Sequence, residues 1–239
     1  MKMGKTLAEK VTFFKQLSKD NQKSLLLHGT EIQVRAGHTL FYEGEEAKYI
    51  YLIRRGQVRL SKMTMDDKKF FLHLKQDDDI VGEFSLFNDM NVSMTADIIV
   101  DSTLVRFDIK ELEALFTQNG EIAVAFIKLF ARNTQATQAK FSDLLLYGKT
   151  GAFYSILIRF ANSYGVNRKE GILIDMKLTN QDLAHFIGTS RETVNRMLND
   201  LKREQIVKVQ RGHIIIMDIQ YLKRHLHCGK CPLEICTIS

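Results

Sequence analysis

Proline is nearly missing from this chain: Pro232 is the only one in 239 residues. Glycine must therefore carry the turns, and Gly37, Gly44, Gly56 and Gly82 stand where turns are needed. Long apolar runs are missing too. The longest, such as Ile-Ile-Ile-Met at 214–217, fall far short of a bilayer span. The first ten residues contain no apolar stretch of the kind a secretion signal needs. A cytoplasmic protein without membrane contact is expected, in a compartment where thiols stay reduced. No nucleophile–base pair, phosphate-binding loop or zinc-hydrolase motif is present, so an enzyme is not expected. Cysteine is the sharpest scarcity. There is none before position 228, and then Cys228, Cys231 and Cys236 fall within nine residues.

What is present describes a globular chain, 45% hydrophobic and 26% charged. Its net charge of +6 is unevenly placed. Residues 148–239 hold 14 Lys/Arg against 8 Asp/Glu, whereas residues 1–147 hold 20 of each. The whole excess lies in the C-terminal part, as expected if that part meets a polyanion.

Residues 31–107 alternate in short runs with a turn signal about every ten residues, the pattern of a β-sandwich or a barrel-like roll. Tyr49–Ile53 reads as a buried strand, Arg54-Arg55-Gly56 as a turn, and Val58–Met63 as the next strand. Asp66-Asp67 marks a hairpin before Phe70–Leu74. Asp108 to Glu111 open a helix. Residues 121–147 then run without glycine or proline. Ile122, Leu129 and Ala136 recur every seven residues, with Phe126, Asn133 and Lys140 at the alternate positions. That spacing suggests a helix-pairing seam, with packing on its own domain as the other reading. Asp143 continues the same series, and a carboxylate there needs either solvent or a partner. Tyr147 to Gly151 break the helix. Residues 152–164 resume it with Phe153, Ile156, Leu157, Phe160 and Ala161 on one face, and Gly165 ends it.

Residues 178–205 are the most specific segment. Thr179 with Asp182 forms a capping box, and Leu183, Ala184 and Ile187 give an apolar face. Gly188-Thr189-Ser190 turns the chain, with Thr189 or Ser190 capping the second helix. Val194, Met197, Leu198 and Leu201 form the buried stripe of that helix. Two short helices around a glycine turn make a helix-turn-helix. Val207–Val209 and His213–Ile216 flank Gln210-Arg211-Gly212 as a hairpin wing. Arg191, Glu192 and Arg196 face outward from the second helix. An arginine fork suits guanine O6 and N7, and a carboxylate can accept from cytosine N4. The alternative is a solvated face in which Glu192 and Arg196 pair at i,i+4.

This order of roll, long helix and winged helix-turn-helix resembles the CRP/FNR superfamily of bacterial transcription regulators. Gly82-Glu83-Phe84-Ser85-Leu86-Phe87 is similar to that family's Gly-Glu element, and Ser190 to Leu198 to its recognition helix. The resemblance implies an α+β chain: a cyclic-nucleotide-binding-like β-roll with an N-terminal helix at 1–120, a dimerisation helix at 121–147, a winged helix-turn-helix at 148–225 and a cysteine-rich tail at 226–239. It implies a homodimer on palindromic double-stranded DNA, with RNA polymerase as a further partner. Half-sites like TGTGA/TCACA are expected, with Arg191 and Arg196 on guanines and Glu192 on the cytosine opposite. Thr179, Ser190 and Thr193 complete the DNA-binding set. Cyclic-nucleotide members clamp the phosphate with an arginine after the Gly-Glu element. Here that stretch reads Asn91-Val92-Ser93-Met94-Thr95-Ala96, so cyclic nucleotide is not expected.

Cys228-x2-Cys231-x4-Cys236 has metal-ligand spacing. Zinc could complete a Cys3His set with His227 or His225, an iron–sulfur cluster lacks a fourth cysteine, and an inert frayed tail is the plain alternative. The tail Cys-Pro-Leu-Glu-Ile-Cys at 231–236 is similar to that of the Bacillus-type FNR proteins. So are Asp143 to Gly151 and Leu178 to Ala184. That resemblance implies a [4Fe-4S] cluster held by Cys228, Cys231 and Cys236, with Asp143 as fourth ligand. It implies an oxygen-responsive regulator of anaerobic genes, in which the cluster ties the tail to the long helix and so sets the DNA-competent dimer. The rivals are a zinc-stabilised regulator and a thiol-redox regulator of the same superfamily.

Overall fold

The structure is a computed structural model, and it describes residues 12–86, 91–228 and 231–239. Phe87, Gly229 and most of the expected N-terminal helix region before Thr12 lie outside the described residues. The chain divides into two compact units, one ending at Ala131 and one running from Arg132 to Ile238.

The first unit opens with α1 (Phe13–Gln16) and α2 (Lys19–Leu27), each capped by a hydroxyl, Thr12 and Ser18. Six strands follow: β1 (Gly29–Val34), β2 (Thr39–Phe41), β3 (Tyr49–Met63), β4 (Lys69–Gln76), β5 (Ile80–Val81) and β6 (Thr95–Asp108). All pairings are antiparallel, in the order β1-β6-β3-β4, with β2 added to β6 and β5 to β3. Successive residues of β3 feed two separate cores. Ile50 and Leu52 join Phe13, Phe107 and Phe126, while Tyr51 and Ile53 join Leu60, Ile98 and Leu104. The period-2 alternation of a strand thus serves both faces. Each such side chain contributes about 1.5–3 kcal/mol by leaving water.

One expectation fails here. Arg54-Arg55-Gly56 is no turn; β3 runs unbroken through it, and its register against β6 shifts there instead. Gly56 has φ 130°, its N–H donates to Asp77 Oδ1 at 2.8 Å, and a Cβ would collide with Ser102. The glycine lets two long strands bend around a bulge, so the turn signal was real but its consequence was a kink within one strand. The Asp66-Asp67 hairpin between β3 and β4 forms, with Asp67 left-handed. Near Gly82, Glu83 is sealed in the interior and pairs with Lys75 at 3.0 Å.

Asp108 caps α3 (Ile109–Gln118) through two backbone N–H groups. The long helix α4 (Gly120–Tyr164) then crosses from one unit to the other. The seam read from the sequence takes the other of its two readings. Ile122, Phe126, Leu129 and Ala136 are buried within the chain itself, and Phe126 packs against Phe13 and Phe116. The exposed apolar residues are offset: Val124 and Leu145 stand three heptads apart, and Ile127 and Phe141 two. An inward and an outward stripe share one periodicity, and burial against the core claimed the stripe first chosen.

α4 is broken at Gly148, whose φ of 62° and ψ of −159° no other residue adopts cheaply. The arm after the break was expected to bury one face, yet residues 151–163 are all buried. Polar Ser155, Arg159, Asn162 and Ser163 lie inside because the C-terminal tail folds back over them. Gly165 does end the helix, but by starting β7 (Gly165–Arg168) rather than as a left-handed cap. β7 pairs with β8 (Gly171–Ile174), and the sheet continues through the wing strands, with β10 (His213–Ile216) next to β8 and β9 (Val207–Gln210) at the edge.

Candidate functional site

The DNA-reading segment is built by local capping. α5 (Asn180–Ile187) starts at Thr179, whose side chain and Asp182 make both bonds of the capping box. Gly188 closes it in a left-handed conformation. Ser190 caps α6 (Arg191–Arg203), accepting from Thr193 N at 3.2 Å. Leu183, Ala184 and Ile187 bury against Val194, Leu198 and Leu201, whereas Met197 stays half-buried. Asn180 Nδ2 donates to Asn195 Oδ1 at 3.1 Å and ties the two helices at their outer edge. The wing is β9 (Val207–Gln210) and β10 (His213–Ile216), turned by Arg211-Gly212, both at positive φ.

Arg191, Glu192 and Arg196 are exposed on the first turns of α6. Among the described residues no ion pair joins Glu192 to Arg196, and neither Arg191 nor Arg196 spends its guanidinium on a side chain. Both forks are therefore open to a ligand. The Glu192 carboxyl lies below its ordinary value because a backbone N–H and the Ser190 hydroxyl bond its charged form, with Arg191 helping. It is an anion at neutral pH, able to accept from an amine donor. Glu192, Asn195, Arg196, Asn199, Asp200 and Arg203 line one open face of the helix. Asn195, Asn199 and Arg203 were missed from the sequence; their spacing of four was the available signal.

The cysteine segment follows α7 (Ile219–His225), which Asp218 caps. Cys228 and Cys231 are exposed and Cys236 is half-buried, after a 3-10 turn at Leu233–Ile235. All three thiols are free. Asp143 sits on the arm of α4 before Gly148, and Ser155 on the arm after it. In an unbroken helix their separation of 12 positions would span about 18 Å. Here Ser155 Oγ donates to Asp143 Oδ2 at 2.6 Å, so the chain reverses at Gly148. Gly151 lets the arms meet closely, since a Cβ there would strike Tyr147. Arg159 Nη2 lies 3.6 Å from the same oxygen. Among the described residues no hydrogen bond reaches Oδ1 of Asp143.

Burial raises the Cys228 thiol above its ordinary value, and the charges of Cys236, Asp143 and Cys231 add to the shift. Burial also raises Cys236, opposed by Arg159 and reinforced by Cys231 and Asp143. The fold thus brings the three cysteines and Asp143 into one electrostatic neighbourhood. Ionised together they would repel, and a metal cation would relieve that repulsion. Three thiolates and a carboxylate with one unbonded oxygen fit such a cation. Among the described residues, no three His, Cys, Asp or Glu groups stand close enough to hold one as they lie. The set is gathered but open. His225 and His227, the zinc alternatives, pack their rings on Tyr154 at 4.9 Å and Tyr147 at 5.9 Å.

An antiparallel roll, a long helix and a winged helix-turn-helix define a DNA-binding transcription regulator. Residues 154–225 match the Crp-like helix-turn-helix domain and residues 31–119 the cyclic nucleotide-binding domain. The chain belongs to the CRP/FNR family of transcription regulators. It is 43% identical over 205 residues to the anaerobic regulatory protein of Bacillus subtilis, covering 84% of this chain and 86% of that protein. It is 27% identical to the CRP-like cAMP-activated global transcriptional regulator of Mycobacterium tuberculosis, over 79% of this chain and 84% of that one. Among solved structures, a CooA variant from Carboxydothermus hydrogenoformans shares the fold with a TM-score of 0.74 at 18% identity, over 93% and 98% of the two chains. The c-di-GMP responsive regulator CLP of Xanthomonas campestris does so with 0.75 at 19%, over 84% and 100%. Among the described residues no helix is long and apolar enough to cross a membrane.

Proposed function

We propose that this chain is an oxygen-responsive cytoplasmic regulator of anaerobic genes whose sensor is a [4Fe-4S] cluster held by Cys228, Cys231, Cys236 and Asp143. The observation that carries the reading is the convergence of Asp143 with three thiols that lie at least 85 residues further along the chain. The likeness to an anaerobic regulatory protein supports it. A bound cluster supplies metal–sulfur bonds that oxygen attacks, and a hard carboxylate ligand holds iron less firmly than thiolate. The chain's own part is positional. Asp143 belongs to the long helix and the cysteines follow the DNA-binding segment, so drawing them together fixes the end of that segment to α4.

The regulator acts as a homodimer on a palindrome, and RNA polymerase is its further partner. The exposed Val124, Ile127, Phe141 and Leu145 of α4 favour a second copy of the same helix as their cover, because heptad spacing on an exposed stripe suits a coiled-coil pairing. Arg191 and Arg196 read guanines and Glu192 the opposite cytosine in TGTGA/TCACA-like half-sites, with Thr179, Ser190 and Thr193 alongside. Arg196→Ala should weaken binding to such a site by about 1–3 kcal/mol, measured by fluorescence anisotropy. Cyclic nucleotide is not the signal. The buried bond between Glu83 and Lys75 supports this, because it commits the Gly-Glu carboxylate to the roll itself.

The deciding experiment is an absorption spectrum with metal and sulfide analysis of protein purified without oxygen. A broad visible band, lost in air together with DNA binding, is expected. Near-stoichiometric zinc without iron or sulfide overturns the reading in favour of a zinc-stabilised regulator. A response abolished by thiol blocking with no metal present does so in favour of a thiol-redox one.

A further inference from the structure

The C-terminal tail is held by bonds to its main chain rather than to its cysteine side chains. Arg159, 2% exposed, is among the largest fully buried side chains of the described residues and a full charge. Such a charge is costly unless its donors are used. Its Nη1 donates to the carbonyls of Ile235 at 2.8 Å and Thr237 at 3.4 Å. Its Nε donates to Ser155 Oγ at 3.1 Å, and Ser155 donates onward to Asp143. One turn further on, Asn162 Nδ2 donates to the Cys236 carbonyl at 2.7 Å. Ser163 Oγ accepts from Ile238 N at 3.1 Å, and Ile238 is wholly buried. Directly or through Ser155, every one of these bonds leads to Asp143 or to the segment 235–238. Cys228 and Cys231 lie on the exposed side of the same set.

We infer that Arg159 and Asn162 form a metal-independent latch that positions one half of the ligand set, Asp143 and Cys236, while Cys228 and Cys231 form a half that closes only around a bound group. Both are positioning residues: they act through main-chain carbonyls and through Ser155. The inference deepens the proposed function and rests on it for the identity of the ligands. It changes the expected sequence of events. Losing the bound group releases Cys228 and Cys231, while Cys236 stays docked, so the site can be refilled without refolding the tail.

The test uses the full-length protein, reduced and freed of metal by chelation. Carbamidomethylation of each cysteine by iodoacetamide is followed by mass mapping from about pH 7 to about pH 10, which separates thiolate fraction from access. Cys236 should react on the order of tenfold more slowly than Cys231 even where both are ionised, because it must wait for local opening. Asn162→Ala should bring Cys236 close to the Cys231 rate and leave Cys231 unchanged, whereas unfolding would change both. Arg159→Lys, which keeps charge but loses the fork, should restore only part of the protection that Arg159→Leu removes. Equal rates for Cys236 and Cys231 in the unaltered protein overturn the latch, as does a Cys236 that stays slow in Asn162→Ala and Arg159→Lys. Iron does not enter these measurements. An iron-free natural protein would therefore defeat the cluster reading alone, and a freely reactive Cys236 the latch alone.

Discussion

Each unit of the chain has an acid–base pair whose cation is buried, and the two pairs are made differently. Lys75 and Glu83 stand 3.0 Å apart with side chains 2% and 0% exposed. Arg159 and Asp143 stand 3.6 Å apart, with Arg159 equally buried but Asp143 22% exposed. The first pair is sealed from solvent, with the charge of Asp79 adding to that of Glu83 on Lys75. The second shares one carboxylate oxygen among Ser155 and Arg159 and leaves the other without a hydrogen bond among the described residues. A carboxylate committed to the fold is no longer available to a ligand, while one held by a single edge is. Glu83 is committed to the interior of its unit, whereas Asp143 keeps solvent access and one oxygen without a hydrogen bond among the described residues.

Breaking the sealed pair should have the largest effect. Lys75→Met leaves Glu83 buried and without its lysine, and should lower stability by about 3–5 kcal/mol in urea unfolding. The double change Lys75→Met with Glu83→Leu should recover most of that, since two apolar groups need no compensation. A loss below about 1 kcal/mol would erase the contrast between the pairs. Gly148→Ala comes next. It forces a side chain into backbone reserved for glycine, at a cost of about 1–3 kcal/mol in thermal unfolding. It should also lower iron uptake, because the reversal that carries Asp143 to Ser155 depends on that residue.

Asp143→Asn should cost less than about 1 kcal/mol, because a partly exposed pair contributes little and Ser155 can still donate to an amide oxygen. The same protein should fail to hold iron when reconstituted anaerobically. Stability kept and metal lost is the signature that sharpens the comparison; stability lost would make Asp143 another Glu83. The smallest expected effect is with pH. Burial opposes the charge on Lys75, but Glu83 and Asp79 outweigh it and hold the lysine above its ordinary 10.5. A folded value above the unfolded one gives stability that is complete below about pH 10 and is lost as pH rises through the folded value. The penalty of Lys75→Met should therefore be flat from about pH 6 to about pH 9.

The contrast also explains what could be read from the sequence. The helix-turn-helix was legible because its signals are local: Thr179 with Asp182, Gly188 and Ser190 each cap a helix within three residues. The exposed arginines followed from the same periodicity. In the roll, Gly56 marked a change of direction correctly, but a single glycine does not say whether a chain turns back or merely bulges. The stripe of Ile122 and Leu129 misled because an inward and an outward face of α4 carry the same repeat, and only packing decides between them. The polar residues of the arm after Gly148 carried no readable signal. Arg159, Asn162 and Ser163 bind carbonyl and amide groups of the tail, and backbone groups are the same in every sequence. Asp143 was singled out as a ligand only through resemblance, and its reach to Ser155 could be seen only once Gly148 had reversed the helix.

That choice of backbone partners has a further consequence for how the protein can change over generations. Side chains at 235, 237 and 238 could drift without disturbing the carbonyls and the amide that Arg159, Asn162 and Ser163 hold, provided the buried site of Ile238 stays filled. An inserted or deleted residue between Cys231 and Cys236 could not be absorbed so easily, because it would shift every carbonyl past its donor. The tail is thus constrained in length more than in spelling, and spacing is the property that selection would guard.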